Sequence, residues 1–418
     1  MKLIARLSSS NLKIFLVLLL VLVNILLIVS FGSSDMTAWC RYAEATIGRD
    51  IFSAHIAGYQ LYPLLSTVIF SIVANFWRLV AGPSAECYLG IKISIFVFYI
   101  LTAVLFFIYS RIVNKRFFSK LDNLLVFLLV FSLIINTQGL AYVDIYTIPS
   151  VIASLVFLYK KKYFLAGLLL GITISIKFEP ILLVPLYGVT IFNLQKSLIK
   201  SIKDSLKFLL GLVPLVAGLW TLLLIYPGGY DMATIQYNVL FKAPYLSGQA
   251  LNFNWILTYF LHLFQPDNYL PLGPGGLNNW IGGDGIFWPR YIFYLISALI
   301  ILKYWFFQKK NLSNLLTASI MIFFSHYMIN REVHEQHLFY TVILALALYL
   351  YKNLKENLYF LILVDIMNMV NLILFYGFTG AAFINRVFLG VDITVIFAFY
   401  YLIIYLFVLQ HYFRYGKL

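Results

Sequence analysis

The chain has 418 residues, of which 62% are hydrophobic and only 11% charged. A soluble domain is nearer half apolar and a quarter charged, so this composition excludes a water-soluble fold. The net charge of +14 is no nucleic-acid signature, because about twenty of the thirty Lys and Arg sit in short clusters between apolar runs, as cytoplasmic anchors do.

An apolar segment of roughly 20 residues crosses the hydrocarbon core as a helix. Ile14–Phe31 is the first, and Lys2, Arg6 and Lys13 ahead of it direct it from inside to outside. Its apolar run is longer than that of a signal peptide, so it reads as a retained span. Leu64–Val80 follows. If it crossed, Arg111, Lys115, Arg116 and Lys120 and every later basic cluster would lie outside, so it is expected to lie in the interface without crossing.

The remaining spans are expected at Leu89–Tyr109, Asn123–Thr137, Ile145–Tyr159, Tyr163–Ile176, Phe178–Phe192 and Phe208–Tyr226, then Tyr291–Phe307, Leu312–Ile329, Leu338–Tyr351, Leu358–Gly377 and Phe388–Gln410. The expected fold is an all-α, polytopic transmembrane helical bundle of about twelve spans. It forms a single integral membrane domain over residues 1–418 with both termini cytoplasmic. Two outer loops, 32–88 and 227–289, exceed the length of an idle connection.

In this layout most of the acids fall outside and the inner loops hold little but Lys and Arg, so chemistry is expected on the outer side. Asp35 stands just past the first span, at the low-dielectric boundary, where burial raises a carboxyl pKa and a cation lowers it. On position alone its plain reading is a solvated boundary residue. Arg331, His334 and His337 form a second group. The planar fork of Arg and the ring nitrogens of His suit an anionic oxygen group, although an interfacial polar cap would look the same. Two residues, not three, separate the histidines, which rules out the H-E-x-x-H zinc signature; on a helix the two rings would share a face. Asp144 lies in the outer turn Asn136–Thr147, and Lys177 and Glu179 flank the short turn before Pro180, where a charged pair often serves only to end a helix.

In the late loop, Tyr245–Trp255 reads as a helix lying on the membrane, and the Gly/Pro-rich stretch Pro271–Gly285 as a flexible cover for a substrate. Cys40 and Cys87, the two cysteines, would form one disulfide if both face outward; their spacing alone leaves this open.

These features resemble the GT-C superfamily of membrane glycosyltransferases, above all the dolichyl- or polyprenyl-phosphate-hexose-dependent glucosyl- and mannosyltransferases. Asp35 with Trp39, followed by Tyr59-Gln60-Leu61-Tyr62-Pro63-Leu64, resembles the family's acid–aromatic pair and its Tyr-x-Tyr-Pro-Pro-Leu-like stretch, with one residue extra and one Pro missing. Val333-His334-Glu335-Gln336 is similar to a Val-His-Glu-Lys-like motif, with Gln in place of Lys. Ser247–Trp255 resembles the Ser-x-Asn-Ala-x-Asn-Leu-Trp run of prokaryotic members.

The resemblance implies inverting transfer of a hexose from a polyprenyl-phosphate-linked donor to a glycan or lipid-linked acceptor on the extracytoplasmic face. Asp35 would be the catalytic base. His334, His337, Arg331 and Lys177 would bind the donor phosphate, and Trp39, Tyr62 and Asp144 the acceptor. No cofactor is implied, and the sequence holds no D-x-D pair of the kind that recruits a metal for a nucleotide donor, so no metal is expected. Membrane lipids are the remaining partners; nucleic acid is not one.

Three rival readings stand beside it, of which a purely structural membrane protein leaves Asp35, the His334–His337 loop and the long late loop unexplained. A lipid-linked polysaccharide polymerase or ligase would use a large outer loop on a diphosphate-linked chain. A secondary transporter would need ionisable or broken-helix features near mid-membrane and usually internal repeats; the sequence shows neither, and its polar residues gather at one face, as in an enzyme.

Overall fold

The computed structural model describes residues 10–113, 125–194, 197–241, 246–266, 271–272, 276–277, 286–380, 387–388 and 391–418. Lys2, Arg6, Lys115, Arg116, Lys120, Lys196, Tyr245 and most of Pro271–Gly285 lie outside them. The chain divides into two compact units, Met1–Val239 and Leu240–Leu418.

Among the described residues, seven helices are long and apolar enough to cross a membrane: Leu64–Ala81, Cys87–Val113, Leu198–Ile225, Trp288–Phe307, Leu312–Ile329, Lys355–Tyr376 and Ile393–Tyr415. A bent pair, Phe131–Gly139 with Val143–Tyr159, makes an eighth if counted as one span. The protein is thus a helical integral membrane protein, the architecture in which each segment satisfies its own backbone in lipid. Helical structure stands at every expected span, but several segments, such as the 14-residue Tyr163–Ile176, are short. Length and composition therefore carry the count to eight rather than twelve. Leu64–Ala81 is one of the seven, and neither property sets it apart as a surface helix.

The first unit runs α1 (Ser10–Ile28), α2 (Asp35–Ala45), α3 (Ile51–Ala57), α4 (Leu64–Ala81), α5 (Cys87–Val113), α6 (Phe131–Ile134), α7 (Ile148–Tyr159), α8 (Tyr163–Ile176), α9 (Val184–Asn193), α10 (Leu198–Ile225) and α11 (Gly229–Phe241). Helix α8 carries Gly167 and Gly171 four residues apart, the small-residue spacing that lets membrane helices touch backbone to backbone. A Cβ on Gly167 would collide with the Phe208 carbonyl of α10, and one on Gly211 of α10 with the Phe164 carbonyl of α8. This contact fixes the end of α8, where Lys177 begins the next turn.

The other fixed point is a break. Helix α6 passes into a π-helical turn, Ile135–Gly139, and the chain bends by 106° before the 3-10 turn Val143–Thr147 leads into α7. Ala141 at the apex takes φ 63°, a left-handed conformation costly for an L-residue. The break frees carbonyls, and the neighbouring segment satisfies them. Ser33 N–H donates to Leu140 O at 2.9 Å and the Ser30 hydroxyl to Gly139 O at 3.3 Å. Lys92 of α5, fully buried, donates to Gly139 O at 3.1 Å, to Ser30 Oγ at 3.1 Å and to Gln138 O. Gly32 (φ 101°) is required here, because a Cβ would meet Leu140 O at 3.0 Å. The turn that precedes Asp35 is thereby docked on the turn that precedes Asp144.

The second unit runs α12 (Phe253–Phe264), α13 (Trp288–Phe307), α14 (Leu312–Ile329), α15 (Phe339–Tyr351), α16 (Lys355–Tyr376) and α17 (Ile393–Tyr415). Nearly every residue of α14 and α15 is buried, so these two form its core. Ser247–Gly248 (β1) pairs in parallel with Val333–His334, placing Ser247 opposite Val333 and Gly248 opposite His334.

The expected surface helix over Tyr245–Trp255 is replaced by strand β1 and a helix that begins only at Phe253. The reason is local. The Asn252 side chain accepts from Trp255 N–H as an N-cap and donates to Tyr327 O at 2.9 Å, while Asn254 donates to Ile329 O at 3.0 Å. Trp255 is buried, its indole N–H bound to Thr394 Oγ1 at 2.8 Å, so it is a core residue of this unit rather than an interfacial anchor.

Candidate active site

In the first unit four ionisable side chains converge. Lys177 Nζ lies 2.5 Å from Asp144 Oδ1 and 3.2 Å from Glu179 Oε1, with the Lys177 and Asp144 side chains 6% and 1% exposed. Asp144 is placed by the 3-10 turn after the break, Lys177 by the end of α8, and Glu179 by the 3-10 turn that follows. Asp35, the first residue of α2, is close enough to feel both charges. Burial pushes its carboxyl above the usual carboxylate range; Lys177 pulls it partly back, and Asp144 adds to the rise. Asp35 thus carries an enhanced affinity for a proton beside a lysine that is paired with Asp144 and Glu179.

Aromatic residues border this group. Tyr62 lies under Lys177, with Nζ 5.9 Å from the ring centroid, and its ring is 5.2 Å from that of Trp39. Withdrawal from water pushes the Tyr62 phenol well up, and Asp144, Asp35 and Glu179 push it further, which places it among the three acids. The Tyr62 carbonyl accepts from Gln236 Nε2 at 2.8 Å, and Gln236 also contacts His55 Nε2 at 3.0 Å. Burial pulls His55 down to about 4, so the ring is neutral at physiological pH and serves as a packed hydrogen-bonding strut. The Trp39 indole N–H is buried and has no hydrogen-bond partner among the described residues.

In the second unit His334 and His337 come together, while Arg331 turns to Glu332 and Phe287. His334 is the strand residue before the 3-10 turn Glu335–Leu338, and its N–H donates to His337 Nδ1 at 3.4 Å. The rings meet edge to face at 5.6 Å, so they are neighbours through this cap rather than along one helix face. His326 of α14 stacks on His337 at 5.7 Å. The His334 side chain is 41% exposed. Arg331 is buried, lying over the Phe287 ring at 4.5 Å and 2.9 Å from Glu332. The other oxygen of Glu332 meets Arg290 at 2.5 Å. Glu332 adopts φ 62° and is fixed there by donating its N–H to Leu246 O at 2.8 Å. Burial pushes the Glu332 carboxyl up to about 7, against the pull of Arg290 and Arg331.

The residues expected from the sequence thus fall into two groups: Asp35, Trp39, Tyr62, Asp144 and Lys177 in one unit, Arg331, His334 and His337 in the other. Sequence reasoning missed Lys92, Arg290 and His326. Lys92 had a signal, since a lone lysine inside an apolar run is costly unless it serves a purpose. Arg290 had none, because nothing in the sequence ties residue 290 to residue 332.

Residues 60–196 match the family model of glycosyltransferase family 87. The match covers about a third of the chain and includes Tyr62, Asp144, Lys177 and Glu179. It agrees with the resemblance to membrane glycosyltransferases that the outer-loop motifs carry. None of the curated proteins compared with the chain matches it.

Proposed function

We propose that the protein is an inverting glycosyltransferase that moves a hexose from a polyprenyl-phosphate-linked donor to a glycan or lipid-linked acceptor on the extracytoplasmic face. The observation that carries this reading is the close group of Asp35, Asp144, Glu179 and Lys177, built on a buried Lys177–Asp144 pair, in which the Asp35 carboxyl has a raised proton affinity. The family 87 match over three of its four members supports it.

The acceptor hydroxyl oxygen attacks the anomeric carbon as Asp35 takes its proton. The bond from that carbon to the phosphate oxygen breaks, and polyprenyl phosphate leaves. A positioned base of this kind contributes roughly 10²–10⁴-fold. The buried Lys177–Asp144 pair anchors this group, and Lys177 is the cation whose charge acts on the base. Trp39, with its unpartnered indole N–H, and Tyr62 suit the faces and hydroxyls of a sugar. The group of His334, His337 and Arg331 has the chemistry to meet a phosphate, and His334 is its open member. A phosphate monoester leaving group can be met by such side chains, so activity without added metal is part of the proposal.

The test is sugar transfer by the purified protein in detergent. Polyprenyl-phosphate hexoses would be offered beside nucleotide sugars and diphosphate-linked oligosaccharides, with lipid extracts as acceptors. Transfer from the phosphate-linked donors alone, unaffected by EDTA, supports the reading. Transfer only from a diphosphate-linked chain moves the protein to the polymerase or ligase class.

The broken helix at residues 131–159 and the buried Lys92 favour a second reading, a secondary transporter, because such proteins build sites at helix breaks. The broken carbonyls here are already occupied by Ser33, Ser30 and Lys92, which leaves little for a transported ion. Uptake into proteoliposomes without sugar transfer would favour that reading.

A further inference from the structure

The sequence contains two cysteines, 47 positions apart. Cys40 lies in α2, five residues after Asp35, and Cys87 is the first residue of α5. Helix α2 packs on α5, and the two thiols are close enough for each to act on the other. Both side chains are half-buried, so a thiol reagent or an exchange partner can approach them. In a chain with only two cysteines, their proximity across this helix contact is hard to ascribe to packing needs, which any small apolar residue would meet. We propose that Cys40 and Cys87 form a disulfide in the mature protein, tying the helix that carries Asp35 to the adjacent span.

The inference rests on the extracytoplasmic placement of Asp35, because disulfides persist in oxidising compartments and not in the cytosol. The bond forms by thiol–disulfide exchange. One cysteine thiolate attacks the disulfide of an oxidant, such as a protein dithiol oxidase, to give a mixed disulfide. The second thiolate displaces it. The new S–S bond is made, both cysteines are oxidised, and the oxidant leaves as a dithiol with the two electrons and two protons. The tie shortens the free path of the segment 41–86, which contains Tyr62, Trp77 and the packed network of His55.

The experiment uses the full-length protein in membranes of the expressing cells, quenched in acid before lysis. A maleimide-polyethylene glycol reagent is added after denaturation, with and without prior reduction, and the peptides are read by mass spectrometry. The wild type is expected to take no label until reduced and two labels after, with a Cys40–Cys87 cross-linked peptide. Two labels on the unreduced wild type would overturn the proposal.

The variants Cys40→Ser and Cys87→Ser each leave one thiol, which a membrane-impermeant maleimide probes in intact cells. Labelling of both from outside, together with a reduced wild type, removes the disulfide but keeps the placement of the face. Failure of both to label from outside until the membrane is opened removes the placement as well. Reduction of the oxidised wild type should lower its melting temperature by several degrees, and neither serine variant should show such a shift. An unchanged melting temperature would show that the bond does not brace α2.

Discussion

Lys177 donates to Asp144 at 2.5 Å where the two side chains are 6% and 1% exposed, and the two act with opposite signs on the Asp35 carboxyl that burial pushes up. A buried ion pair adds little net stability over an apolar pair of the same shape, but removing one partner strands a charge. Lys177→Met should therefore destabilise the protein by about 3–5 kcal/mol. The double variant Lys177→Met/Asp144→Asn should recover much of that loss while remaining inactive. Thermal unfolding in detergent measures both; a single variant as stable as the wild type would mean that the pair is solvated.

Glu332 gives a pH dependence with a defined sign. Its folded value of about 7 lies above the ordinary glutamate value of 4.5, so the folded protein holds an extra proton between the two. Stability from this group is greatest below about pH 4.5 and falls as pH rises towards 7. The protonated form also leaves Arg290 and Arg331 less neutralised, which favours an anion. The KM for a phosphate-linked donor should rise as pH increases through about 7, and Glu332→Gln should flatten this limb. A donor KM independent of pH from 6 to about 8 in the wild type would disconnect this cluster from the donor.

Gly248 stands opposite His334 in the parallel strand pair, and a Cβ there would run into the imidazole ring. Gly248→Ala should displace His334 while leaving the fold intact, since the ring is at the open edge of the cluster. If His334 meets the donor phosphate, the variant should raise donor KM several-fold with a smaller effect on kcat. Unchanged kinetics would take His334 out of that role.

Gly167→Leu should separate α8 from α10, because the added side chain would enter the space of the Phe208 carbonyl. Overpacking of this kind costs about 1–3 kcal/mol, more where backbone cannot yield. The displacement should carry Lys177 with it and reduce activity beyond the loss of stability. Full activity in a stable Gly167→Leu protein would show that the contact does not position the site.

Much of this arrangement was legible in the sequence, for reasons that differ by element. Leu312–Ile329 was bounded to the residue because a polar stretch with Asn311 as cap precedes it and Asn330 follows. Asp35, Asp144 and Lys177 stood out because a charge beside an apolar run has few neighbours to explain it. The π-helical turn and the 106° bend were not legible: the bend depends on partners at Ser30, Ser33 and Lys92, distant in sequence. The late-loop segment misled for a similar reason. Its Asn and Trp side chains fit an interfacial helix by type, and only their bonds to Tyr327, Ile329 and Thr394 reveal a cap and a core. Arg290 and Glu332 show the same limit, since an ion pair 42 positions apart leaves no local pattern.

If Asp35 is the base for sugar transfer, a comparison of wild type with Asp35→Asn separates the chemistry from binding and folding. Both proteins would be purified, shown to share a melting temperature and elution profile, and assayed for hexose transfer from polyprenyl-phosphate donors. The folded variant is expected to retain donor binding and to lose roughly 10²–10⁴-fold in kcat. An Asp35→Asn protein that transfers sugar at the wild-type rate would contradict that role.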